Sequence, residues 1–414
     1  MTAEVAIMNT QGIALAADSA VTLGAGKTYN TADKLFALSR RHPVGIMIYS
    51  SASIMGIEWE TIIKCYRDFL DVKSFDTLSE YAGDFINYLS KFPYFGEEKM
   101  QKYFERVCFD VFSHVLSWFL DDLHAECDGK ENIEDASIDT VFNTSLKKIK
   151  EKMKSVDDEK QLKVDTDYID ANTEIINKMI PVVFENYRIS KKQAAELVTI
   201  LKLNFQKCGW IDDYTGIVIA GYGEREIFPC IHSFKVSGKL GKHLIYFEED
   251  TDVIDGVDFT AAINPYAQTE MVHQFAKGID PDFGVNIIEK VEQMLGAVST
   301  LLPEADKAKT EPLTKLIADY IDAVIGSGYS GPILEIVACM QKTELVSMAE
   351  AMVNLTALKR HVSTDSETVG GPVDAALITK GDGFIWIKRK TNYDPVLNSH
   401  LNQSYFRGGR SENL

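Results

Sequence analysis

The first apolar positions of the chain fall in two short runs, Glu4 to Met8 and Gly12 to Asp18, joined by Asn9-Thr10-Gln11. Short apolar runs bounded by turn residues predict strands buried on both faces, here paired as a hairpin. Val44 to Ser50, following Pro43, predicts a third buried strand. The spacing then changes: Trp59, Ile62, Ile63, Tyr66, Phe69 and Leu70 recur at helical steps and share one face. Strands lead, and helices pack on them.

From about Thr77 to Phe205 the pattern is mainly helical, with amphipathic stretches at Tyr103 to Leu123 and Lys191 to Phe205. An acidic, lysine-bearing region around Asp128 to Asp167 interrupts it, readable as exposed helix or a mobile excursion, and the acids between Asp157 and Asp167 predict a solvated face. Strands return at Gly216 to Ala220, Glu226 to Val236 and His243 to Phe247, punctuated by Gly221, Gly223, Gly238 and Gly241. A second helical stretch spans about Tyr266 to Val337, interrupted near Gly326 to Pro332. Thr343 then reads as the N-cap of a helix whose apolar stripe is Leu345, Met348, Met352 and Leu355. The chain closes with Val373 to Ile378, a Gly381-Asp382-Gly383 turn, and Phe384 to Lys390. This order predicts an α+β protein of sheets covered by helices, in one domain over 1–414, with helical insertions at about 92–210 and 283–340.

With 414 residues, 45% of them hydrophobic and 25% charged, the chain can bury a large core, which excludes disordered and fibrous classes. A net charge of −18 opposes a nucleic-acid surface, which needs clustered Lys and Arg. No apolar run is long enough for a membrane span, and Met1-Thr2-Ala3-Glu4 lacks a secretory start, so the expected location is cytoplasmic with no membrane partner. The six cysteines, among them Cys127 and Cys208, show no metal-ligand spacing and read as structural thiols.

Chemistry concentrates at the start. Thr2 is small enough that Met1 ahead of it is commonly removed, which leaves an α-amine and a hydroxyl on one residue. Such an amine titrates near pH 8 and can take the hydroxyl proton as the oxygen attacks. Asp18 closes the second strand in Ala16-Ala17-Asp18-Ser19-Ala20, and Lys34 stands an equal step further on, in Ala32-Asp33-Lys34-Leu35-Phe36. Each residue alone has an ordinary reading: a small second residue, a strand-end cap, a solvated charge. Together, within this strand pattern, they resemble the catalytic β subunits of the proteasome, in the N-terminal nucleophile hydrolase family, or a divergent bacterial protease of that type.

The resemblance covers roughly residues 2–90, 214–280 and 344–390. It implies a four-layer αββα sandwich with Thr2 as nucleophile, Asp18 as acidic partner and Lys34 as the lysine. Backbone N–H groups of Tyr49, Ser50 and Ser51 would form the oxyanion site, although the family carries glycine where this chain reads Ile48-Tyr49-Ser50-Ser51. Gly370-Gly371 resembles the glycine pair entering a late strand; the slots upstream, where the family places a supporting Asp and Ser, hold Ser366 and Val369 here, which leaves Asp365, Ser366 or Thr368 as approximate substitutes. The implied reaction is acyl transfer from a peptide or other amide to Thr2, with no metal or organic cofactor, in copies assembled as a ring or stack. No feature identifies a partner ATPase. Two rivals stand beside it: a proteasome-like scaffold without activity, and an amidase for one small amide.

Other motifs carry less. Gly24-Ala25-Gly26-Lys27-Thr28 lacks the first glycine of a phosphate loop, since residue 21 is Val21. His232, His273 and His361 show no paired acid at usable spacing.

Overall fold

The computed structural model describes residues 2–22, 27–126, 135–155, 166–207, 210, 213–301, 310–363, 369–390 and 397. Met1, Gly24, Ala25, Gly26, Cys127, Cys208, Asp365, Ser366, Thr368 and, in the acidic region, 128–134 and 156–165 lie outside them. The chain opens with β1 (Ala3–Asn9), β2 (Gly12–Ala17), β3 (Val21–Thr22), β4 (Thr28–Tyr29), β5 (Leu35–Ala37), β6 (Val44–Tyr49), β7 (Ser53–Ile54) and β8 (Ile57–Glu58). Helices α1 (Trp59–Leu70), α2 (Leu78–Ser90), α3 (Glu97–Glu126), α4 (Asp135–Lys154), α5 (Thr166–Ala171), α6 (Thr173–Val183) and α7 (Lys191–Lys207) follow. Then come β9 (Thr215–Gly221), β10 (Cys230–Leu240), β11 (His243–Val253) and β12 (Ala261–Ala267), helices α8 (Glu270–Lys277), α9 (Pro281–Leu301), α10 (Thr310–Ile325), α11 (Gly331–Cys339) and α12 (Lys342–Val362), and strands β13 (Asp374–Thr379) and β14 (Gly383–Lys388).

Two five-stranded antiparallel sheets result, ordered β12-β1-β2-β13-β14 and β11-β10-β9-β6-β5. Strand alternation decides what each face meets. On β1, Ala6 and Met8 point into the layer between the sheets, beside Ile13, Leu15, Met47 and Val218. Ala3, Val5 and Ile7 point the other way, onto Leu345, Ala349 and Val353 of α12. Across the second sheet, Ile46, Ile48 and Ile217 pack on Trp59, Ile62 and Tyr66 of α1 and on Phe85 of α2. The layers therefore run α, β, β, α, and strands buried on both faces explain the unbroken apolar runs. Each fully buried aliphatic chain contributes about 2 kcal/mol of transfer free energy. Helices α3 to α7 share an apolar core of their own, including Phe104, Phe112, Phe119, Leu197 and Phe205, which meets the sheets at Leu240 and Ile245.

Several boundaries differ from the sequence expectation. Tyr266 belongs to strand β12, not to a helix. Asn264-Pro265 broke the apolar pattern, but β12 is an edge strand, where a proline without an N–H does no harm. Phe69 is 48% exposed and leaves the buried stripe of α1, its ring under Lys73 Nζ at 3.9 Å. Thr343 lies inside α12, whose N-cap is Gln341. The buried stripe there runs through Leu345, Val346, Ala349, Met352, Val353 and Thr356, while Met348 and Leu355 are half-buried.

Candidate active site

The β1–β2 hairpin brings its two ends together. Its ladder pairs Glu4 with Ala17, so Thr2 and Asp18 emerge side by side. Asp18 N–H donates to the Ala3 carbonyl at 3.1 Å, and Ala3 N–H donates back to Asp18 Oδ1 at 3.1 Å. The other carboxylate oxygen accepts from Ala20 N–H at 3.2 Å and from Gly370 N–H at 3.0 Å. Ser19 completes this closure, its N–H donating to the Gly370 carbonyl and its hydroxyl to the Pro372 carbonyl at 2.6 Å. The next residue, Gly371, has φ +78°, and a Cβ there would stand 2.7 Å from Asn30 Cβ. Glycine is thus required at 371 by the turn that delivers the Gly370 N–H, whereas a side chain at 370 would meet open space.

Lys34 comes from the other sheet. It precedes β5, and its carbonyl accepts from Ile48 N–H of β6 at 2.9 Å. Its ammonium crosses the inter-sheet layer and donates to Asp18 Oδ1 at 2.6 Å. Both residues are buried, at 4% and 1% exposure, so an opposite-charge pair is held where water screens it weakly. A second ion cluster braces it from behind. Lys390 pairs with Asp33, the neighbour of Lys34, at 2.9 Å, and with Asp374, which lies opposite Ala17 in the β2–β13 ladder.

Thr2 is itself buried, and its carbonyl accepts from Gln268 N–H at 3.1 Å. Gln268 Oε1 accepts from Arg360 Nε at 2.6 Å, and Arg360 also pairs with Glu270 at 3.5 Å. The structure therefore brings Thr2, Asp18 and Lys34 into one buried cluster. Asp365, Ser366 and Thr368, the candidate supports, lie outside the described residues.

At the expected oxyanion strand, Ser50 has φ +71°, the left-handed conformation that glycine adopts freely and that costs another residue about 1–2 kcal/mol. The backbone there keeps a glycine-like shape without glycine. Ser51 N–H is taken by the Tyr49 carbonyl at 3.1 Å, whereas Ser50 N–H has no partner among the described residues. Tyr49 turns its ring into the inter-sheet layer, where it sits so close to Gly216 that a Cβ on that glycine would lie 1.9 Å from it. The ring stacks on Tyr266 at 5.8 Å and its hydroxyl donates to Glu249 Oε2 at 2.9 Å. Burial, and then the Glu249 charge, push the Tyr49 phenol far above its ordinary range, so it stays neutral.

These tyrosines border a cavity of about 450 Å³ at the open edge of the sandwich, walled also by Glu249, Asp250, Asp252 and Asn264. Ala267 and Thr269 line it on either side of Gln268, the residue bonded to Thr2. Asp252 bridges the sheets by accepting from Asn264 at 2.6 Å.

Sequence reasoning missed four site residues: Glu4, Gln268, Arg360 and Lys390. An acid inside the first apolar run was a signal for Glu4. The others become neighbours only through long-range closure. Glu4 is fully buried and neither carboxyl oxygen has a partner among the described residues. Desolvation raises its carboxyl well above the usual range, with the Lys34 charge opposing and the Asp18 charge adding. His232, read as lacking an acid, has Glu248 Oε1 2.7 Å from its Nδ1, where the carboxylate accepts from the ring N–H. Among the described residues no group of His, Cys, Asp and Glu could hold a metal, and no helix is long and apolar enough to cross a membrane.

No family model and no curated protein matches the chain. Solved structures that it resembles are an Anbu (Gly-1) mutant and Anbu from Hyphomicrobium sp. strain MC1, at 10% and 8% identity with TM-scores of 0.28 and 0.31, and Anbu (ancestral beta-subunit) from Yersinia bercovieri, at 9% and 0.29. Each match covers 100% of this chain and 99–100% of the other. Likeness this weak carries no argument about activity. It does correct the resemblance to catalytic proteasome β subunits, because the neighbours are Anbu, a distinct family. The spacing of Thr2, Asp18 and Lys34 follows from the hairpin length and the return to β5.

Proposed function

We propose that the chain is an N-terminal threonine amide hydrolase, with Thr2 as nucleophile once Met1 is removed. The observation that carries this is the buried Lys34–Asp18 ion pair, fixed beside Thr2 by the mutual hydrogen bonds of Asp18 and Ala3. Four donors meet the Asp18 carboxylate, so it stays in place and holds the ammonium at the hairpin end. A positive charge there favours the deprotonated Thr2 hydroxyl during attack. The α-amine takes the hydroxyl proton as Oγ1 bonds to the amide carbon. The tetrahedral oxyanion faces the Ser50 N–H. Collapse breaks the carbon–nitrogen bond, the leaving amine receives the proton, and water then hydrolyses the ester on Thr2.

The test is the intact mass of wild type and Thr2→Ala after incubation with an epoxyketone, which bridges an N-terminal hydroxyl and amine. One adduct on wild type and none on the variant is expected. Equal labelling of both, or none on a wild type that begins at Thr2, counts against the reading.

A further inference from the structure

Two polar groups at the site have unmet capacity in the same buried space. The Lys34 ammonium carries three N–H donors, and Asp18 Oδ1 is the one acceptor it meets among the described residues. Glu4 has two orphan carboxyl oxygens. Glu4 follows Thr2 by two positions on β1, so both share the strand face that continues to Ala6 and Met8 between the sheets. Lys34 enters that same layer from the opposite sheet, and its charge acts on Glu4 without a direct hydrogen bond. Donors and acceptors that are close, buried and just out of reach of one another are what a trapped water joins. A leucine would pack this strand without the desolvation that a partnerless carboxyl suffers.

We infer that Glu4 is a positioning residue of the Thr2 site, linked to the Lys34 ammonium through buried water, so that Lys34 is shared between two carboxyl groups. The effect on Thr2 rests on the hydrolase reading above; the sharing itself does not. With Glu4 protonated, the trio Glu4, Lys34 and Asp18 has no net charge, and Lys34 keeps one N–H for Asp18 and one for the Thr2 side. When Glu4 releases its proton to solvent, the trio becomes negative. Lys34 is then drawn inward, and the added charge holds the Thr2 α-amine protonated, which removes the base. The charged groups acting on Glu4 are Lys34 and Asp18; Tyr266, opposite it on β12, stays neutral because burial raises its phenol. Loss of the Glu4 proton therefore lowers reactivity at Thr2.

The experiment follows epoxyketone labelling of Thr2 against pH for wild type, Glu4→Gln and Glu4→Leu, and in parallel the Lys34 ε-carbon resonance. Wild-type labelling should fall over the pH range in which Glu4 ionises. Glu4→Gln, locked neutral, should lose that fall, and Glu4→Leu, which cannot ionise either, should lose it too while labelling about tenfold more slowly than Glu4→Gln and unfolding at a higher temperature. The Lys34 resonance should show a titration step in wild type that is absent in Glu4→Gln. Identical profiles in all three proteins with an unmoved Lys34 resonance would overturn the inference and leave Glu4 a packing residue. If wild type is not labelled at all, the hydrolase reading fails while the Lys34 resonance still decides the sharing: a step carried by Glu4 upholds it, and no step ends it.

Discussion

Asp18 and Glu4 are both buried carboxyl groups at one end of the same hairpin, yet their surroundings could hardly differ more. Asp18 accepts from three backbone N–H groups and from Lys34. Glu4 accepts from none. Burial alone therefore does not fix a carboxyl's charge; the donors that replace water do. At the hairpin end one acid is held by four donors, and the other is left without any among the described residues, its carboxyl raised above the ordinary range by burial.

Substitutions can break or sharpen that contrast. The largest effect is expected from Asp18→Asn, which leaves a buried ammonium without its counter-charge; urea unfolding should show a loss of about 3–5 kcal/mol, with Thr2 labelling abolished. Lys390→Met strands Asp374 at 3% side-chain exposure and frees Asp33, the neighbour of Lys34. It should cost about 3 kcal/mol in the same assay, with slower labelling as Lys34 loosens. Gly216→Ala forces the Tyr49 ring off its stack with Tyr266. A loss of about 2 kcal/mol is expected, with altered fluorescence of the tyrosines lining the cavity.

Glu4→Leu should run the other way, raising stability by about 1–2 kcal/mol at neutral pH. The pH dependence gives the sign. The folded-state proton affinity of Glu4 is raised, so its contribution is fully present below the unfolded value of about 4.3 and is lost as pH climbs through the folded value. The gap between the variant and wild type should therefore widen as pH rises from about 4.3, measured by thermal melts. A gap that narrows would place Glu4 among ionised, well-partnered acids like Asp18.

The same contrast explains what the sequence could reveal. The hairpin was legible because strands buried on both faces leave unbroken apolar runs, and Asp18 and Lys34 because their spacing follows from local chain geometry. Glu4 hid inside such a run, since one polar residue does not change a strand's period. β12 hid because Asn264-Pro265 reads as a breaker, although an edge strand tolerates it. The Gly370 N–H that fixes Asp18 lies 352 residues away, a distance no local pattern can bridge. Lys390, its side chain 6% exposed, belongs to the same class, because its partners Asp33 and Asp374 meet only after both sheets have formed.

The proposed chemistry requires Thr2 to bear the reacting amine and hydroxyl together. The intact mass of the protein made without an added N-terminal tag decides this. A chain that starts at Thr2 is expected. A chain that keeps Met1 would contradict it, because the amine would then sit on the wrong residue and the Lys34–Asp18 pair would have no nucleophile to serve.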